Sequence, residues 1–130
     1  MGRFILTTED WIRYYVPIVN KEIGREDRNE QSIEFFLRLV GLARFDCNDK
    51  YYIVTITAPD MWGDKVLSLV SFYIKPEFRA RYIREVLAKL SKFANEDKVS
   101  YINIGSHINK KLHSFLLKQG YEVSAVRRFL

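Results

Sequence analysis

The sequence predicts a mixed α/β layer fold with elements in the order β-α-α-β-β-α-β-α-β, and three observations carry that prediction. Apolar residues recur at helical spacing in several separate segments, as at Ile33, Phe36, Leu37 and Val40 and again at Ile83, Val86, Leu87, Leu90 and Phe93. Between them lie runs rich in aromatic and β-branched residues, KYYIVTIT and VLSLVSFYI, which suit strands. The run VLSLVSFYI is followed by a helix and then VSYINI, a strand-helix-strand unit whose crossover is expected to be right-handed, making those strands parallel or splayed neighbours.

The elements follow in chain order. Arg3 to Leu6 is a short edge strand. Thr7-Thr8-Glu9-Asp10 starts a helix, because a threonine oxygen can accept from a free N–H and acids suit the positive end of the dipole. That helix carries Trp11, Tyr14, Tyr15, Val16, Ile18 and Val19, and Pro17 kinks it or begins a second piece. KEIGREDRNEQ is a polar loop, and the second helix spans Asn29 to about Arg44, capped by Asn29 or Ser32. No strand is expected between Arg44 and Asn48. Lys50 to Thr57 is a strand, APDMWGDK a turn, and Val66 to Ile74 a central, well-buried strand ended by Pro76. The next helix runs to about Ala94, Asn95 to Lys98 is a turn, and Val99 to Ile104 a strand. A helix starting at Ser106 or Asn109 is closed by Gly120, and Tyr121 to Phe129 forms the last strand.

The length, 130 residues with 48% apolar content, fits one globular domain over residues 1–130 and excludes a disordered tail. No apolar run approaches the roughly 20 residues of a membrane span, and the N-terminus lacks the apolar region of a signal peptide. Cys47 alone cannot form an internal disulfide and suggests a reducing compartment. With only two histidines beside it, no metal site is expected. The expected location is the cytoplasm or the inside of a virion, not the secreted space.

Charge is uneven. Residues 1–74 hold 9 basic and 11 acidic residues, whereas residues 75–130 hold 12 basic and 5 acidic, a surplus of seven. Such a field attracts an anion, a nucleic acid or an acidic partner, although a solvated basic face explains it equally well. Arg79, Arg81 and Arg84 cluster where a helix should begin, against its dipole, at about 0.3–1 kcal/mol each. A phosphate or other anion bound there would reverse that sign.

Two motifs carry a resemblance. FYIKPEFRARYIREVL joins a strand, Pro76-Glu77-Phe78-Arg79 and a helix, and NKKLHSFLLKQGYEV places Asn109, Phe115, Gly120 and Tyr121 in a second pattern. In that order, over about Val66 to Phe129, they resemble the GNAT N-acetyltransferase superfamily. The resemblance implies a central mixed sheet flanked by helices, here with fewer strands than the full fold. It also implies acetyl-CoA between the strands Val66–Ile74 and Val99–Ile104. Phe72, Tyr73 and Ile74 would lie along the pantetheine, Arg79, Ala80, Arg81, Tyr82, Ile83 and Arg84 at the pyrophosphate, and Asn109 beside the cofactor.

The departures from the family pattern bear on chemistry. The two glycines whose backbone N–H groups reach the pyrophosphate fall at Tyr82 and Arg84. The tyrosine that serves many such enzymes as general acid falls at Leu116, which has no proton to give. VLSLVSFYI contains no carboxylate to act as base, although Asp64 and Glu77 flank it. His113 reads as a surface or partly buried histidine, while His107, at a strand end, is better placed for chemistry although loops often carry histidine without function; Ser106 has no evident activating partner, and Trp62, in the turn, is a candidate contact residue.

Three functions follow from this reading. The first choice is a catalytically eroded GNAT-fold protein with no cofactor, working as a structural or interaction subunit through a protein partner or self-association. Short chains of this kind occur among phage proteins, including virion components, and SFLLKQGY is similar to them. The alternatives are an active acetyl-CoA-dependent N-acetyltransferase and a basic nucleic-acid-binding protein. No membrane partner is expected.

Overall fold

A computed structural model describes residues 6–104 together with 114, 117 and 118. Thr7 opens α1 (Thr8–Glu22) with a capping box: its Oγ1 accepts from the Asp10 N–H at 3.2 Å, and its own N–H donates to the Asp10 carboxylate at 2.9 Å. Pro17 does not begin a second piece. It sits exposed inside an unbroken α1, while Ile12, Tyr15, Val16 and Asn20 hold the other face in the interior.

A 3-10 turn, Glu26–Arg28, runs straight into α2 (Asn29–Leu39). Neither Asn29 nor Ser32 caps it, contrary to expectation. Both accept hydrogen bonds from the Asn20 amide nitrogen, at 2.9 and 3.2 Å, and so tie α2 to α1. The helix also stops five residues short of Arg44. Val40 turns extended, Gly41 takes φ +90°, which suits only glycine, and a strand begins at Arg44.

That strand, β1 (Arg44–Cys47), corrects the expectation of none in this stretch. It pairs antiparallel with β2 (Tyr51–Pro59), and β2 pairs antiparallel with β3 (Lys65–Ile74). The hairpin between β2 and β3 is shorter than expected because Ala58 and Pro59 still pair with Val66 and Lys65. Asp60 closes it, accepting from the Trp62 and Asp64 N–H groups, and leaves Met61 and Trp62 exposed at the tip. A second 3-10 turn, Pro76–Phe78, leads into α3 (Arg79–Asp97), which outruns Ala94 and ends at Lys98 in the left-handed conformation. The last turn of α3 is pinned where Asp97 accepts from Thr57 at 2.6 Å and Arg44 at 3.0 Å.

Tyr101–Ile104 is β4, parallel to β3, so the sheet order β1-β2-β3-β4 places β3 between antiparallel and parallel neighbours. Each face of the sheet has its own core. Tyr51, Ile53, Leu67 and Ile74 meet Val86, Leu90 and Phe93 of α3 on one side. Tyr52, Val54 and Tyr73 meet Tyr15 of α1 on the other. Tyr14, expected in the core, is instead 39% exposed with its ring under Lys75. Ser114, Leu117 and Lys118 are helical, within the stretch expected to be a helix. The first strand (3–6) apart from Leu6, the last strand, and the sites at Ser106, His107, Asn109, His113 and Leu116 lie outside the described residues.

Candidate functional site

The middle of β3 sets the geometry. Val54 pairs with Ser71 and Thr55 with Leu69, so Val70 is an extra residue, a β-bulge that bends the strand. The pairing of β3 with β4 is described from Val66–Tyr101 to Leu69–Ile104, reaching the bulge at the last described residue of β4. The second half of β3 continues to Ile74, and the turn into α3 follows.

The space between β3, α3 and Ile104 is small. Leu69, Phe72, Ile83, Val86, Leu87 and Ile104 close around a cavity of about 10 Å³, the volume of a single water-sized sphere. Phe72 and Ile83 therefore serve as packing between β3 and α3.

The turn between β3 and α3 is helical throughout. The Phe78 N–H donates to the Lys75 carbonyl at 2.8 Å, and the Arg79 N–H donates to the Pro76 carbonyl. Those N–H groups are spent inside the chain, and no side chain caps the start of α3. Tyr82, at the first of the family's glycine positions, packs edge-on against Phe78 with ring centroids 5.8 Å apart and tilted against Tyr51 at 5.9 Å. Arg84, at the second, is exposed, as are Ala80 and Arg81, and the Arg81 guanidinium lies 5.4 Å from the Tyr82 ring.

Arg79 is engaged within the molecule. Its Nε donates to the carbonyl of Ile74 at 2.9 Å, and a terminal nitrogen donates to the Glu22 carboxylate at 2.5 Å. Glu22 also accepts from the Tyr73 hydroxyl at 2.5 Å. Burial works to raise the Glu22 carboxyl, but the hydrogen bonds from Tyr73 and Arg79 and the Arg79 charge outweigh it and hold it below the ordinary carboxylate range. Tyr73 moves the opposite way: burial first, then the bond to Glu22, push its phenol well up. A carboxylate from the end of α1 thus neutralises the first arginine of the cluster. Among the described residues Lys75, Arg81 and Arg84 have no carboxylate partner, and the Lys75 ammonium donates to the Tyr14 hydroxyl at 2.5 Å.

The expected site residues fall into two groups. Arg79, Ala80, Arg81, Tyr82 and Arg84 do gather at one turn, with Tyr73 and Ile74 beside it, whereas Phe72 and Ile83 face the α3 core. The flanking carboxylates do not come together: Asp64 precedes β3 and Glu77 follows it, so the length of a ten-residue strand, about 30 Å, separates them. Sequence reasoning missed Glu22, Tyr14 and Lys75. The pairing partners of Glu22 lie 51 and 57 residues away, so no local pattern marks it.

These residues fit acetyl-CoA in part. Arg81 and Arg84 are cations without a carboxylate partner among the described residues, but side chains stand at both glycine positions, and the space between β3, α3 and Ile104 is only about 10 Å³.

No family model and no curated protein matches the sequence. Solved structures do match the fold. A transcriptional regulator from Bacillus halodurans C-125 superposes with a TM-score of 0.75 at 12% identity, covering 95% of each chain. A predicted acetyltransferase from Clostridium acetobutylicum, solved with acetyl-CoA, gives 0.70 at 15% identity, covering 95% of this chain and 92% of its own. The ribosomal-protein-alanine N-acetyltransferase from Brucella melitensis gives 0.68 at 12% identity, covering 99% and 98%. The chain has the fold of the GNAT acetyltransferases.

Proposed function

We propose that this chain uses the acetyltransferase fold without catalysis, as a structural or interaction subunit, with a phage virion the setting its sequence resembles. The observation that carries the reading is the start of α3, where the Tyr82 ring packs on Phe78 and Tyr51 at the first glycine position and Glu22 takes the charge of Arg79. An acetyl-CoA enzyme needs open, preorganised donors at that place. The tight packing of Phe72 and Ile83 between β3 and α3 supports the same reading.

A second reading, an active N-acetyltransferase, is favoured by one specific feature. Arg81 and Arg84 are exposed at the start of α3 with no carboxylate partner among the described residues, which leaves cations for a pyrophosphate. Nucleic-acid binding rests on charge alone.

Calorimetric titration of the purified protein with acetyl-CoA and with CoA separates the first two. The non-catalytic reading expects no saturable heat up to millimolar ligand. Micromolar binding that disappears in an Arg79→Ala/Arg81→Ala/Arg84→Ala variant would overturn it and establish the cofactor site.

A further inference from the structure

On the face of the sheet away from α3, the helices α1 and α2 do not close completely over β1 and β2. A cavity of about 120 Å³ remains between them. Trp11, Tyr15, Phe36, Phe45, Tyr52 and Val54 supply most of its wall. The sheet separates it from the small space lined by β3, α3 and Ile104. It is therefore no part of the turn and small space discussed above.

Its polar groups are few and specific. Asn20 is 6% exposed, and its amide nitrogen is used fully, donating to Asn29 and Ser32. Its amide oxygen accepts from no described residue and is not among the fully buried unpaired atoms, so it stays within reach of solvent or a ligand. Ser71 and Tyr52 share one hydrogen bond at 2.8 Å across the floor, on the α1 side of the bulge. Among the described residues no charged side chain lines the space.

We propose that this cavity is a binding site for a small neutral ring compound carrying one hydrogen-bond donor, with the ring among the aromatic walls and the donor on the Asn20 amide oxygen. The volume sets the size class, since an apolar cavity of about 150 Å³ accommodates benzene. The walls set the polarity: a charged ligand would lose its hydration with no counter-charge to meet it. The unused oxygen of Asn20 sets the donor, because it is an acceptor at that wall with no partner among the described residues, and a ligand without a donor would leave it unpaired.

The test uses the full chain with phenol, toluene and benzoate as probes, read by saturation-transfer NMR and calorimetry. Phenol should bind saturably, toluene about fivefold more weakly, as one lost hydrogen bond implies, and benzoate not at all. Asn20→Leu should abolish the preference for phenol over toluene. Cys47→Leu and Ser32→Leu each place a larger side chain in the space from a different element. Whichever of them keeps the wild-type circular dichroism spectrum should bind phenol at least about tenfold more weakly, the effect of roughly one lost ring contact surface. Absence of saturable binding by both phenol and toluene would overturn the proposal, as would phenol binding unchanged in a folded filling variant. Equal affinity for the two would overturn the role of Asn20. None of these readouts depends on whether the protein binds acetyl-CoA.

Discussion

The link from α1 to the β3–α3 turn can be measured through Glu22 and Tyr73. Tyr73 is 8% exposed and its hydroxyl donates to Glu22. Glu22→Leu would leave that hydroxyl buried without an acceptor, at about 1–3 kcal/mol. The same change frees Arg79, whose side chain is 49% exposed and can rehydrate, so the ion pair adds only about 0–1 kcal/mol. The expected loss for Glu22→Leu is about 2–3 kcal/mol, and for Tyr73→Phe about 1 kcal/mol. The double variant should cost about the same as Glu22→Leu alone, a coupling of about 1 kcal/mol. Urea denaturation of the four proteins reads these values, and the melting temperature should fall by roughly 3–6 °C per kcal/mol in a chain of this size.

The pH dependence has a definite sign. The folded-state pKa of Glu22 lies below its ordinary value of 4.5, so its stabilising contribution is complete above that value and fades as pH falls through the folded one. The stability gap between wild type and Glu22→Leu should therefore narrow between pH 6 and pH 3, an interval chosen to bracket roughly both values. Costs that simply add within about 0.5 kcal/mol would refute the link, because contacting groups that share a hydrogen bond do not behave independently.

Other outcomes follow from the two cores. Leu90 is fully buried between α3 and the sheet, so Leu90→Ala should destabilise by about 2–5 kcal/mol in the same denaturation assay. A loss under about 1 kcal/mol would mean that α3 is not packed as described. Burial pushes the Cys47 thiol up to about 12, with the Asp46 charge adding to it. At pH 8 the thiol should react with an aromatic disulfide reagent about a hundredfold more slowly than a free cysteine, since the thiolate is the nucleophile. A rate equal to that of free cysteine would contradict its packing against the α1 face.

Much of the frame is legible in the residues. Thr7 and Asp10 announce the start of α1 because a cap is a local device, complete within four residues. The periodicity from Ile83 to Phe93 announces α3, and the apolar run from Val66 to Ile74 announces the central strand. The strand β1 is not legible, although Arg44-Phe45-Asp46-Cys47 alternates correctly, because four residues beside a helical pattern carry too little signal. The bulge at Val70 is also silent in sequence, since it is defined by the partner strand and not by the residue.

At the candidate site the division is sharper. The sequence by itself determined that the turn after β3 lacks glycines, carries arginines and leads into a helix, because those are properties of adjacent residues. Only the tertiary structure decided what they do. Bringing the end of α1 against that turn places Glu22 on Arg79 and Tyr73, turning the first arginine of a basic cluster into an internal strut. The same packing of α1 and α2 over β1 and β2 leaves the cavity beside Asn20. A charge pair or a void between distant elements depends on their approach in space, and hydrophobic spacing along a chain fixes which face is buried without fixing what that face will meet.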